Sequence, residues 1–185
     1  MLLSVGELSE RKNHKVVIRA LGEIQDPEIY YLIAGKGKEY ENYKVMARKM
    51  GLSDRLILLG GRTDVDELCV AADVFVHPSI REGLGIAPLE GMAAGLPLIS
   101  SYVNGIKDYT ENGITGVCIE NPESVSEMML AIIKMKKDVN FREECGQRNL
   151  DIVEKFSLDE SKFAMDKIYR RLSIQGGVSP SSESN

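Results

Sequence analysis

The sequence predicts an α/β fold: a doubly wound parallel sheet of about six strands, followed by carboxyl-terminal helices. Three observations predict it. Short apolar runs alternate with segments of helical periodicity from Leu2 to about Glu120, four of the six runs stop at a glycine or proline loop before a helix, and after Pro122 the chain turns wholly helical.

In chain order, "LLSVG" is a first strand stopped by Gly6, and "HKVVIRALGEI" follows with apolar residues at helical spacing. "IYYLIAG" stops at Gly35 before a helix through "YENYKVMARKM", and "RLILLG" stops at Gly60 before "DVDELCVAA". "VFVHPS" is a fourth strand, ending at Pro78. The helix that begins at Ile86 is expected to turn Ile86, Leu89 and Ala93 inward, and "LPLIS" and "TGVCIE" supply the fifth and sixth strands. Beyond Pro122 the helices run through "SVSEMMLAIIKMKK", "NFREECGQRNLDIVEKF" and "LDESKFAMDKIYRRL". This pattern is Rossmann-like. In such sheets ligands bind beyond the carboxyl ends of the strands, which places Gly6, Gly35, Gly60 and Glu82 on one rim. Residues 1–172 form one expected domain; the tail from Ser173 to Asn185, "SIQGGVSPSSESN", lacks apolar content and is expected to be disordered.

Composition narrows the function classes. With 185 residues, 43% hydrophobic and 28% charged, the chain suits one soluble domain with a full core. A net charge of -5 without a concentrated basic patch argues against a nucleic-acid partner. No apolar run approaches the roughly 20 residues needed to span a bilayer, and "LLSVG" lacks the basic start of a signal peptide, so a cytoplasmic location is expected. Cys69, Cys118 and Cys145 are odd in number and widely spaced, as ordinary reduced thiols are.

The stretch "REGLGIAPLEGMAAGLPLIS" carries the sharpest signal. Gly83 and Gly85 allow a ligand close to the backbone, and the free N–H groups at the start of the following helix offer an anion site that a phosphate would fit, or else the glycines serve only to reverse the chain. Glu82 and Glu90 flank this loop with seven residues between them. Glu90, about one turn into the helix, is placed to accept hydrogen bonds from a pair of sugar hydroxyls, or else to be solvated or to cap a loop. In "GELSERKN", Lys12 is placed to supply a point charge to a diphosphate, or else to be solvated. "AGKGKEY" lacks the third glycine of a dinucleotide fingerprint. His14 and His77 are far apart in sequence, with no acid at ligand spacing, so no metal site is expected, and no G-x-S-x-G elbow marks a hydrolase.

"ADVFVHPSIREGLGIAPLEGMAAGLPLISS" resembles the signature of retaining glycosyltransferases of the GT-B fold, family 4. "SVGELSERKN", "YYLIAGKGKEYENYKVMARKMGL", "RLILLGGRTDVDELCVAADVFVHPS" and "NGITGVCIENPESV" fall in that family's order, so the resemblance covers residues 2 to 172. It implies a nucleotide-sugar donor domain, one half of a GT-B fold. Glu90 would hold the ribose hydroxyls and Glu82 the hydroxyls of the transferred sugar; amides of Gly83, Leu84 and Gly85 would face the diphosphate. Lys12, near Gly6, matches the family's phosphate-binding lysine, and Gly61 and Arg62 lie where the nucleobase rests in relatives. Glu82 and Lys12 are thereby the catalytic candidates. Glu7 departs from the pattern, standing where the family commonly has arginine and so removing a positive charge from the phosphate site.

The resemblance also implies a preceding acceptor-binding domain that this chain lacks. That domain would meet an acceptor glycan or lipid-linked sugar and make any peripheral membrane contact. The isolated chain would then bind donor and transfer little, with no cofactor or metal needed, and the role implied is bacterial surface polysaccharide synthesis. A NAD-binding domain and a receiver-like regulatory domain also alternate strand and helix. The first lacks its GxGxxG, and the second would need clustered aspartates where this chain has Gly6 and Glu7.

Overall fold

The computed structural model describes residues 1–175. Six strands, β1 (Leu2–Val5), β2 (Tyr31–Ala34), β3 (Leu56–Gly60), β4 (Val74–His77), β5 (Leu98–Ser101) and β6 (Gly116–Ile119), form one parallel sheet in the order β3-β2-β1-β4-β5-β6. The first three strands step outward in one direction, and the chain then returns to lay β4 against the other side of β1. The direction of winding therefore reverses between β1 and β4, the place where open α/β sheets leave a crevice for ligands.

Helices α1 (His14–Ile24), α2 (Tyr40–Lys49) and α5 (Val125–Lys137) cover one face; α3 (Val65–Ala71), α4 (Ile86–Ala93) and α6 (Val139–Val153) cover the other. Strand side chains alternate between the two cores. In β1, Leu2 joins Tyr31, Val76 and Ile99 against α1, while Leu3 joins Phe75, Leu89 and Met92 against α4. Each face buries a continuous apolar layer, the main favourable term in the fold. Local chemistry sets the helix starts: Ser124 Oγ accepts the Glu127 N–H at 3.2 Å, and Glu127 Oε2 accepts the Glu120 and Asn121 amides at 2.9 and 3.2 Å. Asp138 caps α6 by accepting the Phe141 N–H at 3.0 Å.

Three details differ from the sequence expectations. Helix α4 buries Pro88, Leu89, Gly91 and Met92, leaving Ile86 and Ala93 exposed, because the helix seats its glycine directly on the Phe75 ring. The helix expected to run to Phe156 tightens after Val153 into a 3-10 turn, Glu154–Phe156, and a further 3-10 turn, Asn104–Asp108, fills the connection after β5. Helix α7 (Leu158–Gln175) extends past Leu172 into the stretch expected to be a tail, and residues 176–185 of that stretch lie outside the described residues. Phe163, Ile168, Tyr169 and Leu172 on α7 are exposed. No described helix is long and apolar enough to cross a membrane.

Candidate functional site

The loop after β1 and the loop after β4 meet at the switch point. Asn13, held in the left-handed region at φ 55°, donates through Nδ2 to the carbonyls of Pro78 (3.1 Å) and Pro122 (2.7 Å). The Ile80 amide donates to the Arg11 carbonyl at 2.9 Å. One buried asparagine thus ties together the loops that follow β1, β4 and β6, and the charged residues beside it are brought within reach of each other.

Lys12 Nζ donates to Glu82 Oε2 at 2.5 Å, with both side chains mostly buried (13% and 11% exposed). Arg11 Nη1 reaches Glu82 Oε1 at 3.2 Å and also bonds the Arg81 carbonyl. His77, at the end of β4, sets Nε2 3.3 Å from Glu82 Oε2; Ser79 Oγ lies 3.4 Å from the same oxygen and 3.2 Å from the imidazole. The Gly83 N–H closes the ring of donors on Oε1 at 3.2 Å. Hydrogen bonds from His77 and Lys12 hold the Glu82 carboxyl below the usual carboxylate range, against the opposing effect of burial. Burial pushes the His77 imidazole down, with the Glu82 bond opposing, and its Nε2 faces the carboxylate.

Helix α4 begins immediately beyond this cluster. Gly85, at φ 72°, is the residue before its first turn, and its carbonyl accepts from the Tyr109 hydroxyl at 3.2 Å. Among the described residues no hydrogen bond is made by the amides of Leu84, Gly85, Ile86 or Ala87. Unpartnered amides at the start of a helix suit an anion.

The comparisons decide the family. The model for glycosyl transferases group 1 matches residues 1–151 of this chain. The chain belongs to that family. Among group 1 glycosyl transferases, it is 33% identical over 139 residues to the UDP-Gal:alpha-D-GlcNAc-diphosphoundecaprenol alpha-1,3-galactosyltransferase of Escherichia coli, covering 72% of this chain and 36% of the relative. It is 31% identical over 131 residues to the lipopolysaccharide glucosyltransferase WaaG of Escherichia coli K12, covering 69% and 35%. The crystal structure of Anabaena HepE in complex with UDP shares the fold, with a TM-score of 0.87 at 21% identity over 92% of this chain and 49% of that one. The chain thus spans about a third of the length of these curated relatives and about half of the solved one.

Of the residues expected at the site, the structure joins Gly6, Lys12, Glu82 and Gly83: Lys12 packs over Gly6 and grips Glu82, and Gly83 donates to the same carboxylate. Leu84 and Gly85 follow with free amides. Glu90 stands apart and exposed, in a cavity between α3 and α4 lined by Val65, Asp66, Val70, Ala93 and Ala94. Gly61 and Arg62 form the exposed turn after β3, where Arg62 Nε bonds Asp64 at 2.8 Å. Glu7 is exposed, and its side chain makes no hydrogen bond or ion pair among the described residues.

Sequence reasoning missed His77, Ser79, Asn13 and the grip of Arg11. At ligand spacing the sequence shows no acid beside His77; in the structure Glu82, five positions on across a loop, is its partner. Burial, with smaller charge repulsion from His77 and Lys12, pushes the His14 imidazole down to about 3. That value lies below its ordinary 6.5, so on acidification the unfolded chain takes up this proton first. Stability present above pH 6.5 is expected to fall as the pH drops toward 3, by about 2 kcal/mol from this group at pH 5. Urea midpoints at pH 7 and pH 5 check this: His14→Phe, which keeps the edge-on contact with Tyr43, should lose part of the difference. An unchanged difference would clear His14 of the role.

Proposed function

We propose that this chain is the donor-binding part of a glycosyltransferase, holding a nucleoside diphosphate sugar across the β1–β4 switch point for retaining transfer to an acceptor hydroxyl. The observation that carries this reading is the Lys12–Glu82 cluster beside the unpartnered amides before α4. As the bond between the anomeric carbon and the diphosphate oxygen breaks, negative charge grows on the diphosphate. Lys12 and the amides of Leu84 and Gly85 are set to meet that charge without a metal ion, and Glu82 accepts from hydroxyls of the glycosyl group. Glu90 holds the ribose hydroxyls, and the turn at Gly61 and Arg62 supports the base. The acceptor, a glycan or lipid-linked sugar, is met by a second domain. The names of the two Escherichia coli relatives and the UDP of the Anabaena structure support a uridine donor and a role in surface polysaccharide synthesis.

Thermal shift with UDP, GDP, ADP, UMP and NAD tests the reading. A nucleoside diphosphate should stabilise the chain more than its monophosphate; stabilisation by NAD alone would overturn it. Glu90→Gln should weaken UDP and UDP-glucose alike, by about 1–3 kcal/mol for a lost charge-assisted bond to ribose. Calorimetry with both ligands measures this. A normal affinity with a lowered melting temperature would assign Glu90 a structural role instead.

A further inference from the structure

The carboxylate of Glu82 occupies the donors that a phosphate would use. An ammonium (Lys12, 2.5 Å), a guanidinium (Arg11, 3.2 Å), a backbone amide (Gly83, 3.2 Å), an imidazole (His77, 3.3 Å) and a hydroxyl (Ser79, 3.4 Å) all converge on its two oxygens. Such a set is what a protein assembles for a phosphoryl group, and here it is filled by a side chain of the same chain. The surroundings leave room for exchange: the loop is exposed at Arg81, Gly83 and Leu84, and the space a Cβ would take at Gly83 is empty to 4 Å.

We propose that Glu82 is a tethered stand-in for the donor's phosphate, giving up Lys12 to a diphosphate only when the attached glycosyl group offers hydroxyls in return, and reclaiming Lys12 once that group has been transferred. This rests on the donor-site reading above and adds a step to it. A phosphate arriving beside Lys12 meets the negative Glu82, which must turn away or be left without its cation. With a nucleotide sugar, the glycosyl hydroxyls donate to the displaced carboxylate and offset that loss. With a bare diphosphate no glycosyl hydroxyl does, and only Arg11, His77 and Ser79 remain on the carboxylate, so the same residue that tolerates the donor works against the product. Glu82 thereby speeds departure of the nucleoside diphosphate after transfer, and the ionised state that His77 and Lys12 enforce keeps it ready to do so.

Calorimetry at low salt with inorganic pyrophosphate, which carries neither base nor sugar, tests the exchange. Glu82→Gln should bind pyrophosphate roughly tenfold more tightly than the unmodified chain, an advantage that shrinks with added salt, because Lys12 is freed from a competing charge. Lys12→Met should weaken pyrophosphate in both backgrounds. If Glu82→Gln fails to melt cooperatively, Glu82→Asp is used, whose shorter side chain loosens the grip on Lys12 and should shift affinity in the same direction by less. Unchanged or weaker binding by the folded Glu82 variant, with Lys12→Met still weakening it, overturns the exchange and leaves the donor site standing. Pyrophosphate binding that ignores Lys12, or no binding by any variant, overturns the donor-site reading and the exchange with it.

Discussion

Lys12→Met is expected to weaken UDP binding by roughly a hundredfold, about 2–3 kcal/mol, since it removes a mostly buried cation from the edge proposed to hold the diphosphate. If the proposed donor site is right, with the second phosphate at this charge, the loss should be larger for UDP than for UMP. A separate cost falls on stability. Glu82 keeps Arg11, His77 and Ser79 as partners, so the fold should lose on the order of 1–3 kcal/mol rather than the full penalty of an orphaned buried carboxylate. Lys12→Arg should restore most of the stability and part of the affinity, as a guanidinium carries the charge in a different shape. Calorimetry and urea melts on both variants measure the two effects. If UDP affinity survives Lys12→Met in a folded chain, the phosphate does not lie at this edge.

Gly35→Ala is expected to cost more than about 4 kcal/mol and to leave little folded protein. A Cβ at residue 35 would stand 1.8 Å from the Gly6 carbonyl oxygen and 2.8 Å from its carbon, both backbone atoms that no side-chain rotation can move aside. To relieve the clash the ends of β1 and β2 must part, giving up the hydrogen bond from Gly6 to Ala34 (2.9 Å). The loop that carries Lys12 starts at Gly6, so any chain that still folds should also bind nucleotide poorly. Gly83→Ala provides the contrast: its Cβ would meet nothing within 4 Å, and a change within about 0.5 kcal/mol is expected. Circular dichroism melts of the two variants separate a glycine required for close approach from one that only lies in a loop. Similar melting temperatures would show that the sheet end yields where the contact geometry says it cannot.

The strand ends were readable because each is a local event. Gly6, Gly35, Gly60 and Pro78 stop apolar runs whatever the rest of the chain does, and β1 to β4 end within a residue of them. The starts of α1 and α5 were readable for the same reason, since helical spacing acts over a single turn. The buried face of α4 was misread. Eight residues hold little periodic signal, and the rotation of the helix is set by its contact with Phe75, a residue of another element. The candidate site divides in the same way. The glycine loop and the two glutamates stand out along the chain, whereas nothing local marks His77 as a partner of Glu82 or Asn13 as the tie among three loops.

By itself the sequence determined the alternation of strand and helix, the rim on which the glycine loops gather and the identity of the charged residues there, because propensity, periodicity and turn chemistry act over a few neighbouring residues. Only the tertiary structure decided that Lys12 and Glu82, separated by 70 positions, form one ion pair while Glu90, eight positions from Glu82, stays outside it. The physical reason lies in the order of the strands. Laying β4 beside β1 is a choice among crossovers that buries the same apolar faces in many arrangements, and it is that choice which brings two loops together, excludes water from their charges and turns a lysine and a glutamate into a site.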